Sequence, residues 1–294
     1  MDYLKAKTIL SGYKENKEWF GINYNMNIYK GCSHGCIYCD SRSECYRVDD
    51  FDVVRGKENA LAIIDRELRS KRVKGVVGTG AMSDPYNPME SIYELTRGAL
   101  KGIQRYGYGI HISTKSPLVV RDIDLLSAIA KKAPVLVMMT ITSADDVLCR
   151  KVEPYVSPSS ERFKAIKQLS DAGIPTGVLM MPILPYIEDS PENIKEIVIH
   201  AHANGAKVIY PAFGVTLRDR QRQWFYDHLD NHFPGLKEKY QRQFGEAYSC
   251  QSPNAKQLWQ MFEALCKELG IVYKMEEIIK SYRAPFDEVQ LSFF

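Results

Sequence analysis

No run of apolar residues in this chain approaches the ~18 that a membrane-crossing helix needs. Excess charge is missing too. Thirty-nine basic residues against thirty-six acidic ones leave a net +3, too little to announce a phosphate-backbone binder, which carries a strongly basic face. No long Gly-, Ser- or Pro-rich linker divides the sequence. The first twenty residues lack an apolar stretch, because Lys5, Lys7, Lys14 and Lys17 are mixed with Asp2, Glu15 and Glu18. A secretory leader is therefore not expected, and the chain reads as cytoplasmic. What is present is ordinary globular material: 294 residues, 45% hydrophobic and 26% charged. That excludes a disordered tail, a collagen and a coiled coil.

The middle of the chain alternates short β-rich runs with amphipathic stretches. The β-like runs begin near Tyr24, Gly75, Gly109, Val135, Ile174 and Ala206, the last four intervals being 34, 26, 39 and 32 residues. Such spacing belongs to repeated strand–helix units. Val135–Met139 and Gly177–Met181 are apolar almost throughout, as parallel strands buried on both faces are. Helices are expected over residues 60–68, 91–106, 122–132, 159–172 and 191–204. Ser190 is placed as an N-cap ahead of Pro191, and Gly173 and Gly205 as C-terminal glycines. The expectation is α/β: a partial (β/α)6 TIM-type barrel of parallel strands with a helical C-terminal extension. Residues 1–22 form an N-terminal segment, 23–216 the barrel, and 217–294 a mostly helical layer packed on it.

Cysteine carries the chemistry. Of seven, Cys32, Cys36 and Cys39 fall within eight residues, directly after the first β-like run, Asn25–Tyr29. Reduced cytosolic thiols at short spacing are more often metal ligands than disulfides. Barrels of this kind carry reactive groups on the loops after their strands. C-x3-C-x2-C on one loop offers three thiolates to a [4Fe–4S] cluster that ordinarily takes four, so one iron keeps an open position. Gly31 and Gly35 allow the backbone turns of such a wrap. The alternative is a non-enzymatic Cys3His zinc site using His34, although a histidine between two of the cysteines strains four-fold chelation. Cys45, Cys149, Cys250 and Cys266 are scattered and read as small apolar packing residues. A second cluster on Cys149, Cys250 and Cys266 finds no short spacing to support it.

This loop resembles the signature of radical S-adenosylmethionine (SAM) enzymes, and further motifs resemble the spore photoproduct lyase family within that superfamily. The resemblance runs from Tyr29 to Leu184. It takes in Ser83-Asp84, Thr114-Lys115, Thr140-Ile141-Thr142, Glu153-Pro154, Ser157-Pro158, Arg162, Ala172-Gly173 and Pro182-Ile183. It implies a [4Fe–4S] cluster on Cys32, Cys36 and Cys39 and S-adenosyl-L-methionine as second cofactor. Reductive cleavage then yields a 5′-deoxyadenosyl radical that abstracts hydrogen from a substrate. It further implies an external electron donor of flavodoxin or ferredoxin type. Tyr38 is implied near the adenine, Ser83 and Lys115 at the methionine moiety, and Thr140 where the family has a serine. Glu153 and Arg162 are read as a structural ion pair.

Two positions depart from the lyase. Ala81 stands where the lyase has its hydrogen-donating cysteine, and Asp40 where it has an aromatic residue. Spore photoproduct repair is thus not expected, and no catalytic residue for the substrate step is assigned. A nucleic-acid substrate keeps one local candidate: Arg218, Arg220 and Arg222 running into Trp224, Phe225 and Tyr226, then Lys237, Lys239 and Arg242. Arginine with aromatics suits backbone contact and base stacking. The interleaved acids and helical spacing favour a solvated amphipathic helix instead.

Overall fold

The computed structural model describes residues 1–12 and 19–287. Six parallel strands form the centre: Tyr24–Met26, Val76–Thr79, Gly109–Thr114, Val135–Thr140, Thr176–Met180 and Val208–Pro211. They pair in sequence order, and Leu10–Gly12 adds an antiparallel strand outside the first. Helices return the chain between successive strands: Ala60–Ser70, Leu95–Tyr106, Ile123–Ala130, Ser159–Asp171 and Pro191–Ala203. This is the partial TIM-type barrel that the spacing predicts.

Alternation along the strands sorts two cores. Val77, Ile110, Ile112, Val137, Met139 and Val178 face outward against Ile63, Leu100, Leu126, Phe163, Ile166 and Ile197 of the helices. Val76, Leu136, Met138, Leu179 and Val208 face the lumen, where they meet Phe20, Ile22, Ile278 and Tyr282. The last two come from the helix Met275–Asp287. Phe20 stacks on lumenal His111 and meets Tyr210 of the sixth strand edge-on, so the N-terminal segment and the last helix together fill the lumen of the incomplete barrel.

Local chemistry explains the helix ends. The Ser190 hydroxyl accepts the Asn193 amide at 3.1 Å, with Pro191 at the first helical position. Two expectations need correction. The run Asn25–Tyr29 is not one strand: it breaks after Met26, and Tyr29–Lys30 pairs antiparallel with Arg55–Lys57 in a separate three-stranded sheet. Residues 91–106 are not one helix either. Glu90–Tyr93 and Leu95–Tyr106 are parted by Glu94 in the left-handed region, because buried Glu90 turns back to accept the amides of Thr96 and Arg97. A helix at Asp146–Val152, capped by Asp145, precedes the one predicted from residue 159.

Past the barrel lie helices Asp219–His232, Leu236–Phe244, Ala255–Leu269 and Met275–Asp287, with one strand, Ser249–Gln251, pairing with Gly214–Thr216. Among the described residues no helix is long and apolar enough to cross a membrane.

Candidate active site

The strands deliver their C-terminal ends to one mouth, and there a cavity of about 330 Å³ opens. Cys32, His34, Cys36, Tyr38 and Cys39 line it from the loop after the first strand. Ser83 and Asp84 follow the second strand, Thr114 and Lys115 the third, and Thr140 ends the fourth. Leu179, Met181, Pro182 and Val215 close the far wall, and Trp19 reaches in from the N-terminal segment. Cys32, Cys36 and Cys39, expected at the cluster, and Tyr38, Ser83, Lys115 and Thr140, expected at SAM, thus reach a single cavity.

The cysteine loop is shaped by its backbone. Gly31 and Gly35 take φ of +83° and +68°; a Cβ at Gly31 would strike the Val53 carbonyl at 2.4 Å, and one at Gly35 the Tyr155 ring at 2.7 Å. Cys32 donates its amide to Phe51 (2.8 Å) and Ile37 to Val152 (3.0 Å), while Tyr155 donates to the His34 carbonyl (3.2 Å). Burial pushes the Cys32 thiol up to about 11, with Asp84 adding to it, and burial raises Cys36 and Cys39 as well.

Asp84 joins the loops. Its Oδ1 accepts the Thr114 hydroxyl (2.6 Å) and the Tyr86 amide (2.8 Å); its Oδ2 accepts the Lys115 amide (2.7 Å) and lies 3.6 Å from His34 Nδ1. Burial lowers the His34 pKa, against the pull of Asp84. The Ser83 hydroxyl donates to the Gly31 carbonyl, so it braces the cysteine loop as well as facing the cavity.

Lys115 is half-buried with its Nζ 5.6 Å from the centre of the Tyr38 ring. Among the described residues no carboxylate lies within 4.0 Å of it. Burial works against its charge, but Cys36, Glu153 and Asp84 outweigh burial and hold its pKa above the usual value. Behind it the Tyr38 hydroxyl donates to Glu153 Oε1, and Glu153 Oε2 pairs with Arg162 Nη2 at 2.5 Å. Arg162 also donates to the carbonyls of Thr140 (2.9 Å) and Ser157 (2.8 Å). Both partners are essentially inaccessible to solvent, as the structural ion-pair reading expects. Burial opposes ionisation of Glu153, yet Arg162 and Lys115 keep its carboxyl below the usual range.

The donor set can be tested against the two metal readings. One tetrahedral zinc gathers its ligands within ~2.3 Å of a single point. Among the described residues no three His, Cys, Asp or Glu side chains are placed to share one ion. A cubane spreads its thiolates over separate irons, and three thiols lining one cavity from one loop suit it. A cation bound there would supply the charge that lets such buried thiols ionise.

The arginine stripe is where the structure corrects the sequence most. Arg218 pairs with Asp40 (2.7 Å), Arg220 donates to the carbonyls of Arg42 (2.6 Å) and Val48 (2.7 Å), and Arg222 to those of Gly245, Leu217 and Ala247. Phe225 and Tyr226 are buried, Lys237 pairs with Asp230, and Lys239 sits over the Tyr186 ring. The segment is neither an open basic stripe nor a simply solvated helix: Arg218 and Arg220 fasten the C-terminal layer to the chain just after the cysteines, and Arg222 ties that layer to itself. Periodicity reports burial and not the destination of a guanidinium, so nothing in the pattern marked this. Asp84 and Trp19 also went without an assigned role.

Residues 26–198 match the radical SAM superfamily. An uncharacterized protein of Mycobacterium bovis is 32% identical over 226 residues, covering 74% of this chain and 66% of that relative; the chain therefore spans a little under two thirds of it. An uncharacterized protein of Methanocaldococcus jannaschii is 32% identical over 173 residues, 58% of this chain and 63% of the relative. Among solved structures, spore photoproduct lyase complexed with dinucleoside spore photoproduct aligns with TM-score 0.66 at 16% identity, over 92% of this chain and 81% of that one. The methyltransferase TsrM of Kitasatospora setae, with tryptophan substrate and a SAM analogue bound, aligns at 0.56 and 12%, over 90% and 62%. At such identities the likeness is one of fold.

Proposed function

Because the chain belongs to the radical SAM superfamily, we propose that Cys32, Cys36 and Cys39 hold a [4Fe–4S] cluster and that the same cavity binds S-adenosyl-L-methionine. When bound, these groups supply reductive cleavage of the sulfonium to methionine and a 5′-deoxyadenosyl radical that takes hydrogen from a substrate. The observation that carries the reading is the meeting of three thiols with Lys115, Tyr38, Ser83 and Thr140 in one cavity at the strand ends.

The protein's part is orientation and the exclusion of water. Among the described residues the Lys115 ammonium has no carboxylate within 4.0 Å, so it is free to pair with the methionine carboxylate. Tyr38, fixed by Glu153, presents a ring wall for the adenine. Ser83 and Thr140 offer hydroxyl oxygens, and Leu179, Met181, Pro182 and Val215 keep the far wall apolar. Residues 23–216 are read as the radical-generating unit and 217–294 as the layer that covers it. An external one-electron donor of flavodoxin or ferredoxin type completes the system.

A nucleic-acid substrate gains no support from Arg218, Arg220 and Arg222, which are spent inside the molecule. Ala81 lines the cavity where the lyase has its cysteine, so repair of spore photoproduct is not proposed. Anaerobic reconstitution tests the reading: about four irons and four sulfides per chain are expected, with visible absorbance lost in each single Cys→Ala variant. A colourless protein binding one zinc overturns it.

A further inference from the structure

The helix Asp219–His232 begins some twenty residues beyond the stretch matched to the superfamily, yet its first two turns reach the cysteine loop. Trp224 Nε1 donates to the Cys36 carbonyl at 3.4 Å, and Gln221 Nε2 to the Tyr38 carbonyl at 3.2 Å. Just ahead of the helix Arg218 grips the Asp40 carboxylate, and Arg220 donates to the Arg42 carbonyl. Asp40 departs from the lyase pattern, and here it has a partner the chain itself provides.

Gln221 is the keystone. It is fully buried, its Oε1 accepts the Arg218 amide at 3.0 Å, and its Nε2 bridges the carbonyls of Tyr38 and Thr216. One side-chain amide therefore ties the cysteine loop to the strand Gly214–Thr216 and to the start of its own helix. The loop needs such ties. It has two left-handed glycines, only short 3-10 turns after Cys39, and no sheet ladder of its own. Trp224 is half-buried and the Arg42 guanidinium covers its ring at 3.6 Å, which holds the indole against Cys36.

We propose that Gln221 and Trp224 are positioning residues for the cysteine loop: they set the backbone from Cys36 to Arg42 before any metal binds, and their N–H dipoles favour electron uptake by the cluster the loop holds. The second half rests on the cluster reading of the preceding section, and the first half does not. Donors aimed at a ligand loop tune the metal from outside its ligand shell.

The experiment uses the full chain with Gln221→Met, which keeps volume and loses the amide, and Trp224→Phe, which keeps a ring and loses the N–H. Gln223→Ala, on the same helix but paired among the described residues with Asp227 alone, is the control. In the metal-free chain, hydrogen exchange at the Ile37, Cys39 and Arg42 amides should quicken about tenfold or more in both variants. The amides of Val135–Thr140 should stay as in the parent, and the control should change neither set. In the reconstituted chain, Trp224→Phe should move the midpoint potential to more negative values, which a merely structural role would not do. Unchanged loop exchange in both variants overturns the positioning role, and an unchanged potential overturns the tuning. Failure of the parent to assemble any cluster, with loop exchange still quickened in the variants, sinks the cluster reading and leaves the positioning role standing.

Discussion

The two faces of the cysteine loop are built on opposite rules. On its outer face, toward the C-terminal helix, most polar groups are matched: Arg218, Arg220 and Gln221 each end on a carboxylate or a carbonyl. On its inner face, toward the cavity, several are left over. Among the described residues Lys115 Nζ has no carboxylate within 4.0 Å and the Thr140 hydroxyl donates to no protein acceptor, and three thiols lie together with their pKa values raised. A buried polar group left unmatched is costly. The outer face keeps one such group in Arg42 Nε, whereas the inner face gathers an ammonium, a hydroxyl and three thiols around one cavity.

The largest effect expected comes from the inner face. Replacing Cys32, Cys36 or Cys39 by alanine should abolish iron binding in the cubane ratio, measured as iron and sulfide per chain. Next comes the scaffold beneath. Arg162→Met leaves Glu153 buried without its partner and should cost about 3–5 kcal/mol of unfolding free energy, read by denaturant titration.

Glu188 gives the pH test. It is buried beside the fourth strand's exit, bonded to the Thr142 hydroxyl at 2.7 Å, and burial pushes its carboxyl up to about 8. The unfolded chain therefore releases this proton near pH 4.5 and the folded chain only near 8, so the folded state binds more protons in between and stability falls as pH rises. Between pH 5 and 8 the loss should be about 3 kcal/mol, at 1.36 kcal/mol per unit. Glu188→Gln should flatten that slope; an equal slope in the variant removes Glu188 as its source.

Smaller effects sharpen the contrast. Lys115→Ala should weaken SAM binding about ten- to a hundredfold while iron content stays, because a charge-assisted bond is worth about 1.5–3 kcal/mol. Parent-like affinity would make Lys115 a strand-end charge and nothing more. Ser83→Ala should weaken it less than tenfold, a neutral donor being lost. Its bond to the Gly31 carbonyl adds a second sign: slightly faster exchange in the loop.

How far the sequence could be read follows the same division. Strand starts placed near Tyr24, Gly75, Gly109, Val135, Ile174 and Ala206 fall within two residues of the observed ones, because continuous apolarity is a one-dimensional record of burial. The cavity residues were legible for another reason: each sits at a strand's C-terminal end or in the loop that follows it, and strand order decides which loops meet. Glu94 shows the limit. Its neighbours keep helical periodicity, yet the buried Glu90 carboxylate draws the amides of Thr96 and Arg97 and splits the helix. The outer face was illegible because a guanidinium on a backbone carbonyl leaves no periodic trace. Arg220 and a solvated arginine look alike in sequence, and only the fold brings Arg42 under it.

The central claim is that this inner face holds a cluster able to cleave SAM, and 5′-deoxyadenosine tests it most directly. The reconstituted chain, given SAM and a low-potential reductant without oxygen, should release 5′-deoxyadenosine, and Cys36→Ala should release none. A chain that holds about four irons yet releases no more 5′-deoxyadenosine than the Cys36→Ala variant would contradict it.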